Sequence, residues 1–131
     1  MRRLVTLAAI TAAVLPVQPI AAQRVRLDVP VIIRASELDP CSNGVVRGLD
    51  PRGDGFLAVK SGPGLGYRRI DKLFNGSQVW VCGGRGDWLA IIYARGCADC
   101  NVSSPWARTL PYTGPCQPGW VYRRWVEVYA G

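Results

Sequence analysis

The chain has 131 residues, with 16 Lys and Arg against 9 Asp and Glu, no His, and a formal charge of +7. Without His, the Ser–His and Cys–His nucleophile pairs and the commonest general base are excluded. The 15 Gly, 10 Pro and 5 Cys, with no long Ala, Glu, Lys or Leu stretch, argue against a helical protein.

At the start of the chain, Arg2 and Arg3 precede an uncharged, almost wholly apolar stretch from Leu4 to Leu15. Pro16 breaks that stretch and Ala21-Ala22 follows with small side chains. This order is the anatomy of a secretory signal over residues 1–22, with cleavage expected after Ala22; a retained amphipathic anchor is the alternative. The run is shorter than the roughly 20 residues of a membrane span, so no span is expected after cleavage. The first Cys is Cys41, so no lipid-attachment signal follows the run. An exported protein, periplasmic or secreted, is the expectation. Removing Arg2 and Arg3 lowers the charge from +7 to about +5. Such a surface can favour anionic glycans, acidic lipids or nucleic acid. The Arg residues are scattered, however, and read equally as a solvated surface.

Residues 23–40 read as an extended tether, with Arg24, Arg26 and Asp28 alternating in sign and Val31-Ile32-Ile33 forming at most one edge strand. From Cys41 onward, turn signals recur about every ten residues: Asn43-Gly44, Asp50-Pro51, Gly53-Asp54-Gly55, Gly62-Pro63-Gly64, Asn75-Gly76 and Gly83 to Gly86. Short apolar or alternating runs lie between them, and no stretch holds a 3.6-residue period. This pattern predicts an all-β domain over 41–131, a sandwich or barrel. Alternation puts Val79 and Val81 on one face of a strand and Trp80 and Cys82 on the other. Leu89, Ile91 and Tyr93 share a face of the next strand. The expected core is Leu57, Val59, Ile70, Val79, Val81, Leu89, Ile91, Val121 and Val126, with Trp120 and Tyr93 half-buried.

Leu57-Ala58-Val59-Lys60-Ser61-Gly62-Pro63-Gly64 resembles the opening motif of bacterial Src-homology-3-like (SH3b) domains, in which a strand runs into a glycine–proline turn. Asn75-Gly76 before Val79–Cys82, Gly86-Asp87-Trp88 opening the next strand, and Gly119-Trp120-Val121 follow in the family's order. The resemblance covers about residues 44 to 129 and implies a small, strongly bent five-stranded SH3-like barrel. Residues 94–118 depart from the family, as a loop insertion carrying three Cys that needs a pin to be ordered. In that family the binding groove lies between the long loop and the hairpin loop and is lined by aromatics. By position, the matching residues are Tyr67, Trp88, Trp120 and Tyr122. The ligand class so implied is cell-wall peptidoglycan or an extended peptide.

Outside the cytosol, Cys residues form disulfides. The preferred pairing is Cys41 with Cys82, fastening the tether, and Cys100 with Cys116, pinning the insertion. Cys97 is then the spare thiol, or exchanges with Cys100 for Cys116; connectivity stays open at this level. Cys97-Ala98-Asp99-Cys100 has the spacing of a redox motif, but in a loop it lacks the helix that lowers a thiol pKa. A zinc site adding Cys82 and Cys116 is the remaining thiol reading.

No catalytic constellation emerges, and no metal or cofactor is expected. The acids Asp50, Asp54 and Asp87 sit in turns, and Arg52 occupies an acceptor position that a calcium loop over 50–55 requires. Arg-Gly-Asp occurs at 52–54 and 85–87, both at expected hairpin turns. Five Trp and five Tyr exceed what so small a core takes in. Arg123-Arg124 between Tyr122 and Trp125 suits nucleic acid, which export argues against. The expectation is therefore a monomeric, non-catalytic binding module for peptidoglycan or an envelope protein or peptide. The alternatives are a structural or inhibitory envelope protein and a thiol redox or zinc protein.

Overall fold

The computed structural model describes residues 7–18, 25–96 and 98–130. The expected cleavage site at Ala22 and the expected spare thiol at Cys97 lie outside them. Residues 7–18 carry no secondary structure, and Leu7, Ile10, Val14, Leu15 and Val17 are all exposed. No helix among the described residues is long and apolar enough to cross a membrane.

The protein is all-β. Its strands are β1 (Ile32–Ile33), β2 (Ser42–Val46), β3 (Leu57–Lys60), β4 (Arg69–Leu73), β5 (Gln78–Arg85), β6 (Trp88–Tyr93), β7 (Leu110–Pro111), β8 (Gln117–Tyr122) and β9 (Val126–Ala130), with a 3₁₀ turn at Arg123–Trp125. Seven of them form one antiparallel sheet in the order β4-β3-β8-β6-β5-β2-β9, and β1 pairs with β7 separately. Where a small, strongly bent five-stranded barrel is expected, the pairing gives a seven-stranded sheet that does not close. β9 uses its ladder on β2 and β4 uses its own on β3, so the sheet is open with β4 and β9 as its edges.

Each face of the sheet carries its own apolar cluster. Every strand of the sheet except β9 sends buried side chains into the inner cluster: Val46, Leu57, Val59, Leu73, Val79, Leu89, Ile91, Tyr93 and Val121, joined by Leu49. Ile70, Val81, Trp125 and Val126 of β9 pack against it. All nine residues expected in the core lie in or against this cluster, because strand alternation sends every second side chain to the same face. A fully buried Val, Leu or Ile contributes about 1.5–3 kcal/mol. Gly119 is required here, since a Cβ on it would stand 2.2 Å from Val59 Cγ1.

The outer face of β5, β6 and β8 bears Cys82, Ala90, Ile92 and Trp120. Val31 and Ile33 from the N-terminal segment, and Cys100, Val102, Tyr112 and Cys116 from the insertion, cover it. Both disulfides lie in this second cluster and join Cys41 to Cys82 and Cys100 to Cys116. The N-terminal segment is extended, but it is packed rather than free. Val31 and Ile33 are fully buried, and Tyr112 N–H donates to the Val31 carbonyl at 2.9 Å. Ser36 and Trp106 exchange backbone hydrogen bonds, both 3.0 Å. The Tyr112 hydroxyl donates to the Cys100 carbonyl at 2.8 Å and accepts from Cys116 N–H at 3.1 Å, clasping the second disulfide from within. Trp120 and Tyr93, expected half-buried, are only 4% and 2% exposed, since a layer of chain covers the one and the curled sheet encloses the other.

Candidate binding groove

Alternation along β3 sends Leu57 and Val59 into the inner cluster and leaves Ala58 and Lys60, with Phe56 just before them, on the other face. Trp88 and Tyr122 are direct cross-strand partners on β6 and β8, and their rings meet edge to face at 5.7 Å and 72°. This is the geometry aromatic quadrupoles prefer. Phe56, Lys60, Leu65, Trp88, Tyr122 and Trp125 line a groove of about 380 Å³. Leu65, at the tip of the loop from Ser61 to Arg68, is 84% exposed on its rim.

Cations stand over the aromatic rings of this groove. Lys72 Nζ is 4.3 Å and Arg69 Cζ 5.3 Å from the Phe56 ring centre, and Arg124 Cζ is 5.0 Å from that of Trp125. Such contacts are worth about 0.5–1 kcal/mol at exposed sites and hold the charges beside the groove.

Of the four residues matched by family position, two meet here. Trp88 and Tyr122 line the groove together. Tyr67 does not line it; its ring packs against Gly62 and Gly64 of the loop, so close that a Cβ on Gly62 would be 2.5 Å from Tyr67 Cδ1. Trp120 is buried in the outer cluster, its indole N–H donates to the Val29 carbonyl at 2.9 Å, and Arg85 stands 5.8 Å over its ring. It borders a separate pocket of about 260 Å³ with Ile32, Arg34 and Arg85. Sequence reasoning missed Phe56, Lys60, Leu65 and Trp125 as groove residues. The available signal was parity, since Phe56, Ala58 and Lys60 alternate with the core positions Leu57 and Val59.

The loop carrying Leu65 is held from the N-terminal side. Ser61 is fully buried, its hydroxyl donates to the Asp28 carboxylate, and its carbonyl accepts from the N–H groups of Asp28 and Val29, both 3.0 Å. Arg68 Nε completes the latch, 3.5 Å from Asp28 Oδ2. A buried hydroxyl with its partner in place avoids the cost of an orphaned polar group.

A second polar constellation is built on Asp71, in the middle of β4. The Tyr93 hydroxyl donates to Asp71 Oδ2 at 2.8 Å, Arg95 Nε donates to the same oxygen at 3.1 Å, and the Arg95 guanidinium also pairs with Oδ1. Burial by itself raises the Asp71 carboxyl, but hydrogen bonds from Arg95, Tyr93 and the Lys72 backbone outweigh it and hold Asp71 below the ordinary value. Burial, with Asp71 as neighbour, pushes the Tyr93 phenol far above its ordinary value. Hydrogen bonding to Asp71 raises Arg95. At neutral pH this is an ionised carboxylate held by donors from Arg95, Tyr93 and the Lys72 backbone.

The thiolates of the zinc reading are not free, since Cys82, Cys100 and Cys116 are all bridged. The second half of the redox spacing, Cys100, is bonded to Cys116. Comparison with protein-family models, with curated proteins and with solved structures finds no match to this chain.

Proposed function

We propose that this chain is an exported, non-catalytic SH3-like binding module whose aromatic groove takes cell-wall peptidoglycan or an extended peptide. The observation that carries this reading is the Trp88–Tyr122 pair, Tyr122 exposed and Trp88 half-buried, set in a groove with Phe56, Leu65 and Trp125. Aromatic faces suit both stacking on a sugar and clasping an extended chain. The order of strand and turn motifs from Leu57 to Val121 supports the SH3-like assignment, and two disulfides support export. Co-sedimentation with purified cell-wall sacculi tests the reading. Wild-type protein is expected in the pellet, and Trp88→Ala and Tyr122→Ala proteins in the supernatant. Equal retention in the supernatant would sink the cell-wall form of the proposal.

A second reading, contact with an envelope protein, has its own observation. β9 is an open edge strand, and its Val128 and Tyr129 are about half exposed. An unpaired edge with apolar side chains is a template for strand addition. Cross-linking in intact envelopes, with a Val128→Lys variant as control, separates this reading from groove binding.

A further inference from the structure

We infer that the occupant of the groove is acidic: an extended peptide whose carboxylates meet Lys60, Arg69 and Lys72. This rests on the groove reading above and specifies its ligand.

Antiparallel pairing sets Ala58 opposite Lys72 and Lys60 opposite Arg69. Cross-strand partners share a face. Lys60, Arg69 and Lys72 therefore stand on the side of the β3–β4 hairpin that Ala58 and Lys60 present to the groove, and Arg69 and Lys72 both lie over Phe56. Asp71, between them in sequence, points to the other face, where Tyr93 and Arg95 engage it. Arg124 adds a fourth positive charge over Trp125 at the opposite side.

None of these four cations forms an ion pair among the described residues. Elsewhere Arg47 pairs with Glu127, Arg68 with Asp28, and Arg95 with Asp71, while other arginines such as Arg34, Arg52 and Arg108 form no ion pair among the described residues and are scattered. What sets the groove apart is that Lys60, Arg69 and Lys72 share one face of a single hairpin beside its aromatic rings. Such a local field attracts and orients a partner of opposite sign. Arg69 and Lys72 gather over Phe56 while Arg124 stands over Trp125, and charges held over two different rings suit several separated carboxylates better than one phosphate. Apolar and aromatic side chains lie between them. In an extended peptide, alternate side chains point the same way, so acids on one edge reach the cations while the others rest on the rings.

The test measures fluorescence anisotropy of two labelled eight-residue peptides on the intact protein, one a Val–Glu repeat and the other a Val–Gln repeat. The Val–Glu peptide is expected to bind about five- to ten-fold more tightly, the sum of two or three exposed ion pairs. This advantage is expected to vanish at high salt. Lys60→Gln combined with Lys72→Gln should reduce the Val–Glu peptide to the level of Val–Gln, and Arg69→Gln alone should go part of the way. Arg69 and Lys72 are exposed and Lys60 is half-buried, and the melting temperature of each variant checks that the fold is intact. Equal affinity for the two peptides, lost in Trp88→Ala, overturns the acidic ligand while leaving the groove reading standing. A Val–Glu preference untouched by the Lys and Arg variants overturns its placement at this hairpin. An oligothymidylate of equal charge binding as tightly as Val–Glu shows that charge alone is read, which also overturns it. If neither peptide binds and sacculi fail as well, both the inference and the groove reading fall.

Discussion

Trp120 on β8 donates its indole N–H to the backbone carbonyl of Val29, 91 residues earlier, at 2.9 Å. This bond ties the sheet to the segment crossing its outer face, and it takes Trp120 out of the surface available to a ligand. Two tryptophans of the same face thus have different duties. Trp120 holds the layers together, while Trp88 beside Tyr122 stays open to the groove.

Substitution separates those duties. Trp120→Ala is expected to cost about 3–5 kcal/mol by emptying the outer cluster. Trp120→Phe loses the N–H donor and leaves the Val29 carbonyl unpaired, at about 1–2 kcal/mol. Tyr122→Ala, at a surface ring, should cost under about 1 kcal/mol while abolishing groove binding. Urea denaturation read by intrinsic fluorescence checks all three, and a Trp120→Ala protein as stable as wild type would refute the layered packing.

Acid should loosen the Asp71 constellation. The folded carboxyl titrates below its ordinary value of 3.8, so its contribution is fully present above that pH and is lost as pH falls through the folded value. Asp71→Asn is expected to lower stability by about 1–2 kcal/mol at neutral pH. The variant should also lose less stability than wild type between pH 5 and pH 2. Tyr93 works in the opposite direction. Its raised folded value means stability is present below pH 10 and falls above it, and Tyr93→Phe should flatten that alkaline loss. Thermal melts across pH read both effects.

Thiol counting addresses the covalent framework. Four of the five Cys are bridged, so denatured, unreduced protein should show one free thiol per chain, assigned to Cys97. The bridges span 41 and 16 residues. By loop entropy they stabilise by about 4 and 3 kcal/mol. Replacing Cys100 and Cys116 by Ser should raise hydrogen exchange in residues 94–118 well before it affects β3 to β6. Uniform acceleration across the sheet would show that the insertion is not a separable layer.

The latch beneath the Leu65 loop gives a fourth expectation. Ser61→Ala strips the buried hydroxyl from Asp28 and should cost about 1–3 kcal/mol. Gly62→Ala forces the Tyr67 ring aside, because the added Cβ has nowhere else to go. Either change should weaken groove binding by displacing Leu65 on the rim, whereas Ser104→Ala, on the exposed surface of the insertion, should leave it intact. Peptide anisotropy on the three variants makes the comparison.

The β class, most of the turns and the inner core are legible in the sequence because they follow from local rules. Asn43-Gly44, expected as a turn, instead lies within β2, and Gly83-Gly84 within β5, because pairing with neighbouring strands overrides the local preference. Glycine, proline and asparagine mark turns by their own backbone preferences, and a two-residue period assigns faces without reference to any partner. Val79, Val81, Leu89 and Ile91 were legible for that reason. The preference for Cys41 with Cys82 rests on their places before the first strand and at the end of a central one, but connectivity stays open until the fold brings the two together. The remainder depends on segments meeting across long stretches of chain. β1 is two residues long and β7 is two residues long, too short to show any period, yet their pairing brings the N-terminal segment and the insertion together over the outer face. The sheet's openness is likewise a matter of which edges find partners, and no local pattern encodes it. The groove is the same case: Phe56, Leu65, Trp88, Tyr122 and Trp125 come from four separate stretches of chain, and only the curl of the sheet makes them neighbours.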